Sequence, residues 1–164
     1  MNLVICGVSG AGKTTIGSLL SEALGLPFYD ADDFHPPANI EKMADGLPLD
    51  DADRRPWLES LAGHLLSWEK EGGAVLACSA LKASYRRILA SRCADDIRWI
   101  MLHGDRQLLA ERLATRNGHF FASGLLETQL AALELPENGW IVDVRSSPDE
   151  IMDLILERLR SGQG

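Results

Sequence analysis

Leu3-Val4-Ile5-Cys6-Gly7-Val8-Ser9-Gly10-Ala11-Gly12-Lys13-Thr14 decides the fold of this 164-residue chain. The first four residues are an apolar run that reads as a buried strand. The next eight match G-x-x-x-x-G-K-[ST]. Thr15 through Leu24 then reads as a helix, with Ile16, Leu19, Leu20, Ala23 and Leu24 on one face. Strand, glycine turn and helix stand in the order that a phosphate-cradling loop requires. Successive backbone N–H groups of such a turn form a concave anion nest, and the helix N-terminus adds partial positive charge. Gly7, Ser9, Gly10, Ala11, Gly12, Lys13, Thr14 and Thr15 are therefore the expected nucleotide-binding residues. Ser9 takes part through its backbone, with no role given to its side chain. Lys13 is placed to reach the β- and γ-phosphates, and the Thr14 hydroxyl to ligate Mg²⁺.

Working outward, a chain of this length makes one domain with a sizeable core. A formal net charge of -8 argues against a nucleic-acid-binding surface, though a local basic pocket for an anion stays compatible with it. Cys6, Cys78 and Cys93 show no ligand spacing, which points to reduced thiols in a cytoplasmic protein rather than a disulfide or zinc framework. No apolar stretch approaches a membrane span. The first apolar run is too short for a signal peptide.

Leu26 to Tyr29 reads as a second strand, ending in Asp30-Ala31-Asp32-Asp33-Phe34-His35. Like charges crowded at a strand end suit a ligand site, because strand ends are where open α/β sheets bind ligands. Asp30 is assigned to the metal shell. Asp32, two residues on, faces the same way if strand geometry persists, and would accept the proton of an attacking hydroxyl. The alternative is that Asp32 and Asp33 are solvated turn residues. A short helix is expected over 39–44. Asp53 is expected to cap a long amphipathic helix, with Pro56 in its first turn. One of Arg54 and Arg55 can clamp an anionic substrate bidentately, the other being a surface arginine.

Ala74 to Cys78 is an uninterrupted apolar run, as suits a parallel strand covered on both faces. Lys82 follows its end, placed for substrate or phosphate, or simply as an exposed first-turn lysine. A strand at 97–102 leads to a helix from Asp105. Arg112 and Arg116 share one face near its end, where they either compensate a transferring phosphate or stand solvated at a helix C-terminus. Asn117-Gly118 reads as a turn, and Leu125 to Leu135 as a further helix. Trp140 to Val144 is the last strand, and a closing helix starts at Ser147-Pro148. Five strands separated by helices give a doubly wound α/β sheet. Periodicity does not give the strand order.

These stretches resemble the gluconate kinases of the small P-loop type. The resemblance is carried by the residues 7–14 loop, Asp30-Ala31-Asp32-Asp33-Phe34-His35, Asn39-Ile40-Glu41-Lys42-Met43, Pro48-Leu49 with Asp51, Asp53-Arg54 with Pro56-Trp57-Leu58, and Ala77-Cys78-Ser79-Ala80-Leu81-Lys82 with Tyr85-Arg86. It continues through Arg112-Leu113, Arg116, His119-Phe120, Gln129 and Leu133-Glu134. It implies ATP- and Mg²⁺-dependent phosphorylation of D-gluconate on its 6-hydroxyl. It also implies a P-loop sheet in the order 2-3-1-4-5, a lid around residues 112–135, and a homodimer. Resemblance and chemistry together place His35, Arg54 and Lys82 around the acid or its hydroxyls. Arg54 is expected on the carboxylate, because its fork fits two oxygens. The resemblance adds His119 and Gln129 as substrate-binding residues. Lys13, Arg112 and Arg116 are expected on the transferring phosphoryl. Phe121-Ala122 stands where many relatives carry Met and Pro. A shikimate or nucleotide kinase, or a nucleotide switch, is the competing reading. The carboxylates at 30–33 would repel the second phosphate of a nucleotide acceptor.

Overall fold

The computed structural model describes the backbone of residues 1–117 and 119–162 and the side chains of 1–115 and 125–162. Five parallel strands form one sheet: β1 (Asn2–Cys6), β2 (Phe28–Asp30), β3 (Ala74–Ala77), β4 (Arg98–His103) and β5 (Trp140–Asp143). Their spatial order is β2-β3-β1-β4-β5, as the resemblance implied. The helices are α1 (Lys13–Leu24), α2 (Pro37–Ala44), α3 (Asp51–Lys70), α4 (Ala83–Ala90), α5 (Arg106–Asn117), α6 (His119–Ala132) and α7 (Pro148–Arg160).

Strand alternation splits the core into two layers. Leu3 and Ile5 of β1 pack with Ile16 and Leu20 of α1 and Ile151 and Ile155 of α7 on one face. Val4 and Cys6 point to the other face, against Leu58, Leu61 and Leu65 of α3 and Leu89 of α4. Both faces of β1 are covered, which is why Leu3 to Cys6 are all apolar rather than alternating. At its start, buried Asn2 donates to the Leu65 carbonyl (2.9 Å) and accepts from the Ala74 N–H (3.1 Å), joining α3 and β3.

Three local expectations are corrected. Helix α3 begins at Asp51, because Asp50 is its cap and Asp53 completes a capping box: each side chain accepts the other's backbone N–H, at 2.7 and 2.9 Å. Pro56 therefore lies inside the helix, where its missing N–H cannot bond the Ala52 carbonyl. Helix α2 begins two residues early, with Pro37 at a first-turn position that needs no N–H. Helix α6 starts at His119, well before Leu125, and ends at Ala132. Beyond it, the Glu134 N–H leaves the helix to bond the Leu81 carbonyl (2.8 Å).

Candidate active site

The loop between β1 and α1 curls back over the sheet's C-terminal edge. Gly7 has a φ of 148°, and a Cβ there would lie 2.7 Å from the Leu102 carbonyl oxygen. Gly12 caps α1 with a φ of 102°, in the left-handed region where side chains are strained. The Gly7 N–H donates to Ser79 O (3.3 Å), tying the loop to the end of β3. The concave side opens into a cavity of about 350 Å³ whose wall includes Ser9, Lys13, Thr14, Asp30, Asp32 and Gln129.

Lys13 bends back so that Nζ donates to the Val8 carbonyl (2.9 Å). Burial lowers its pKa, an effect opposed by the nearby Cys78, Asp32, Cys6 and Asp30. Asp30 ends β2 and uses Oδ1 to accept the Asp32 N–H (2.9 Å), capping the 3₁₀ turn Ala31–Phe34. Strand geometry does not persist past Asp30, yet the turn returns Asp32 to the same cavity wall. Asp32 is open to solvent in the cleft but enclosed on enough sides that burial, then the neighbouring Asp30 charge, raises its pKa. The Thr14 hydroxyl and these carboxylates are hard oxygen donors on one wall, a donor set suited to Mg²⁺ held jointly with phosphates.

A second cavity of about 250 Å³ lies beside the first. Its wall includes Arg54, Trp57, Lys82 and Tyr85, and it shares Ser79 and Gln129 with the phosphate cavity. Arg54 Nη1 donates to the Tyr85 hydroxyl (3.4 Å), and its guanidinium lies over the Tyr85 ring. Arg55 points outward and pairs with Glu59 (3.0 Å). Lys82 reaches the Asp51 carboxylate (3.2 Å). His35 stacks on Trp57, with ring centroids 4.2 Å apart. Buried Asn39 fixes its tautomer. One amide hydrogen goes to the Asp53 carbonyl (2.9 Å) and the other to His35 Nδ1 (3.2 Å), so Nδ1 accepts and Nε2 carries the proton. Burial lowers the His35 pKa, keeping the ring neutral.

Gln129 joins the two cavities. Its Oε1 accepts the Ser9 N–H (2.6 Å), and its Nε2 donates to Ser9 Oγ (3.0 Å). Arg112, expected at the phosphate, donates to the Val144 carbonyl (2.5 Å) beyond β5. Its neighbour Leu113 is the residue of α5 that turns toward Gly10, and one step along a helix swings a side chain by about 100°. Arg145 pairs with Asp143 (3.0 Å) in the turn after β5. The side chains of Arg116 and His119 lie outside the described residues.

Sequence reasoning missed Asn39 and Asp51 as site-building residues. Asn39 had a signal, since a polar residue on the inward face of a short helix must find partners. Asp51 was carried by the resemblance together with Pro48-Leu49, but nothing in its pattern set it apart as site-building from Asp50 and Asp53, the other two of three aspartates within residues 50–53.

The family profile described as Shikimate kinase matches residues 9–159. Gluconokinase from Gluconobacter oxydans is 48% identical over 160 residues, covering 96% of this chain and 88% of the relative. A probable gluconokinase from Dictyostelium discoideum is 43% identical, covering 96% and 86%. The chain belongs to the gluconokinase family. A crystal structure of a gluconokinase from Sinorhizobium meliloti superposes with a TM-score of 0.84 at 40% identity, covering 99% of this chain and 97% of that one. This gluconokinase-family member is thus a P-loop kinase. Among its described residues no helix is long and apolar enough to cross a membrane.

Proposed function

We propose that the protein transfers the γ-phosphoryl group of ATP to the 6-hydroxyl of D-gluconate, giving 6-phospho-D-gluconate and ADP. The observation that carries this reading is the meeting of two unlike cavities at Ser79 and Gln129. One has the loop amides, lysine and carboxylates of a phosphate and metal site. The other has two cations, a tyrosine hydroxyl and an aromatic wall, which suit a hydroxylated acid.

In this reading the amides of residues 7–15 hold the triphosphate, and Lys13 leaves Val8 to follow its charge. Thr14 and Asp30 would hold Mg²⁺, which when bound neutralises charge on the phosphate oxygens. Asp32, a stronger base than free aspartate, orients the 6-hydroxyl and takes its proton. Neutral His35 offers its Nε2 proton to a substrate hydroxyl. Arg54 and Lys82 receive the carboxylate, with Gln129 lying between acceptor and loop. The segment 112–135 acts as the lid of a single domain, bringing Arg112, Arg116 and His119 inward and excluding water. The homodimer is carried over from the resemblance alone. A reducing cytoplasm suits the free thiols Cys6 and Cys78, which burial keeps protonated.

The test is ADP release with Mg²⁺-ATP, alone and with gluconate, shikimate or a nucleoside monophosphate. Gluconate should raise the rate by orders of magnitude over the other acceptors. Preference for shikimate would move the protein to the activity named by its family profile. Indifference to every acceptor would favour a nucleotide switch.

A further inference from the structure

Asp51 is the first residue of α3 and largely exposed, yet its carboxylate is drawn toward the acceptor cavity. Oδ1 accepts from the Tyr85 hydroxyl at 2.5 Å. Lys82 Nζ lies 3.3 and 3.2 Å from its two oxygens, and Arg54 Nη1 is 3.6 Å from Oδ1. The hydrogen bonds from Tyr85 and then Lys82 hold its pKa below the ordinary carboxylate range, so it is charged at neutral pH. The neighbouring acids are committed elsewhere. Asp53 binds Lys42 at 2.6 Å, and Asp50 caps the helix.

The charge count at this end of the cavity is therefore two cations against one fixed anion. A net single positive charge matches a monocarboxylate. A dianion would be left with an uncompensated negative charge, and a neutral polyol would leave a cation unsatisfied in a half-closed site. Asp51 and Tyr85 both engage the Nη1 side of the Arg54 guanidinium, so they set the position of the fork as well as the charge around it.

We infer that Asp51 is a specificity-determining residue that sets the acceptor pocket for one carboxylate charge. This rests on the gluconate reading above. Three acceptors share the same 6-hydroxyl and differ at the other end: D-glucitol (neutral), D-gluconate (one charge) and D-glucitol 1-phosphate (about two charges at pH 8). The test is kcat/KM for each with wild type, Asp51→Asn, Asp51→Glu and Lys82→Met.

Removing one unit charge within about 6 Å of a half-solvated site changes relative binding by about tenfold per charge on the ligand. Asp51→Asn should therefore raise the 1-phosphate-to-gluconate ratio about tenfold. Asp51→Glu should restore the wild-type ratio. Lys82→Met, which leaves the Asp51 charge balanced against Arg54 alone, should shift preference from gluconate toward glucitol by a similar factor. It also keeps the question open to test if Asp51→Asn folds poorly. A residue that merely braced the pocket would weaken all three acceptors together. Ratios that stay within about twofold in Asp51→Asn and Lys82→Met would overturn the inference while leaving gluconate phosphorylation standing. A wild type that does not phosphorylate gluconate overturns both.

Discussion

Arg54 and Arg55 are adjacent, carry the same charge and differ entirely in what they touch. Arg54 faces Tyr85 and the acceptor cavity, whereas Arg55 pairs with Glu59 at the surface. Exposed pairs of that kind contribute little, so Arg55→Ala should be nearly silent. Arg54→Lys keeps the charge but loses the planar fork. It should raise the KM for gluconate by about tenfold or more, the scale of one lost charge-assisted hydrogen bond, and leave the KM for ATP within about twofold. Initial rates with each substrate varied in turn check this. Equal effects on both would move Arg54 out of the acceptor site. Residue patterning could not choose between the two arginines, because the choice depends on where α3 begins; the resemblance chose Arg54. Only the capping box at Asp50 and Asp53 sets that phase. The aspartates before the helix show the same limit. Strand alternation puts Asp30 and Asp32 on one wall, and they do share it, but through a 3₁₀ turn rather than a continued strand.

Among the connecting elements, the loop from β3 to α4 is fastened by a buried arginine. Ala80 has a φ of 42°, the one non-glycine residue with positive φ among those described. Such a conformation persists only where its surroundings fix it. Arg86, itself buried, does so: Nη1 donates to Ala80 O (2.7 Å) and Leu81 O (3.3 Å), and Nη2 to Glu134 O (2.7 Å). Glu134 returns the contact by accepting the Ala83 N–H (3.0 Å) at the start of α4. The chain after α6 is thus fastened to the loop that carries Lys82. Arg86→Met would leave carbonyls without their charged donor. We expect a loss of about 2–4 kcal/mol, seen as a fall of roughly 5–15 °C in Tm by calorimetry. A raised KM for gluconate should accompany it as Lys82 loses its footing. A variant as stable as wild type would show that water or a rearranged loop replaces the guanidinium. The elements themselves were largely legible, because five apolar runs and a glycine-rich turn follow directly from burial and backbone sterics. Glu134 and Arg86 were not, since nothing in their spacing says that residues 48 apart will share a bond.

For the molecule as a whole, the site carries a pH signature in stability. Burial lowers the His35 pKa below its unfolded value, so between the two pKa values the unfolded chain binds more protons than the folded one. Stability contributed by neutral His35 is fully present above the unfolded pKa of about 6.5 and is lost as pH falls through the folded value. Denaturant midpoints measured from pH 8 to pH 5 should therefore fall more steeply for wild type than for His35→Gln, which cannot titrate. Parallel profiles would mean that the ring is open to water in solution. The two-layer core and the strand order were readable from sequence at different depths. Apolar runs announce buried strands on their own. The order 2-3-1-4-5 came only with the resemblance, because pairing is a property of the assembled sheet.

The bridge from Gln129 to Ser9 has a consequence for how the two substrates sense each other. Gln129 already occupies the Ser9 N–H, one of the donors a triphosphate would use, and the same side chain lines the acceptor cavity. A nucleotide that displaces it releases a wall of the neighbouring pocket, so the two binding events share a coupling free energy. Thermodynamics then demands symmetry: whatever factor a non-hydrolysable ATP analogue applies to gluconate affinity, gluconate must apply to the analogue. Titration calorimetry should find that factor to be on the order of fivefold or more, and Gln129→Ala should bring it close to one. In steady-state terms, the apparent KM of each substrate would drift with the concentration of the other. Constant values would mean that the bridge opens without touching the pocket beside it.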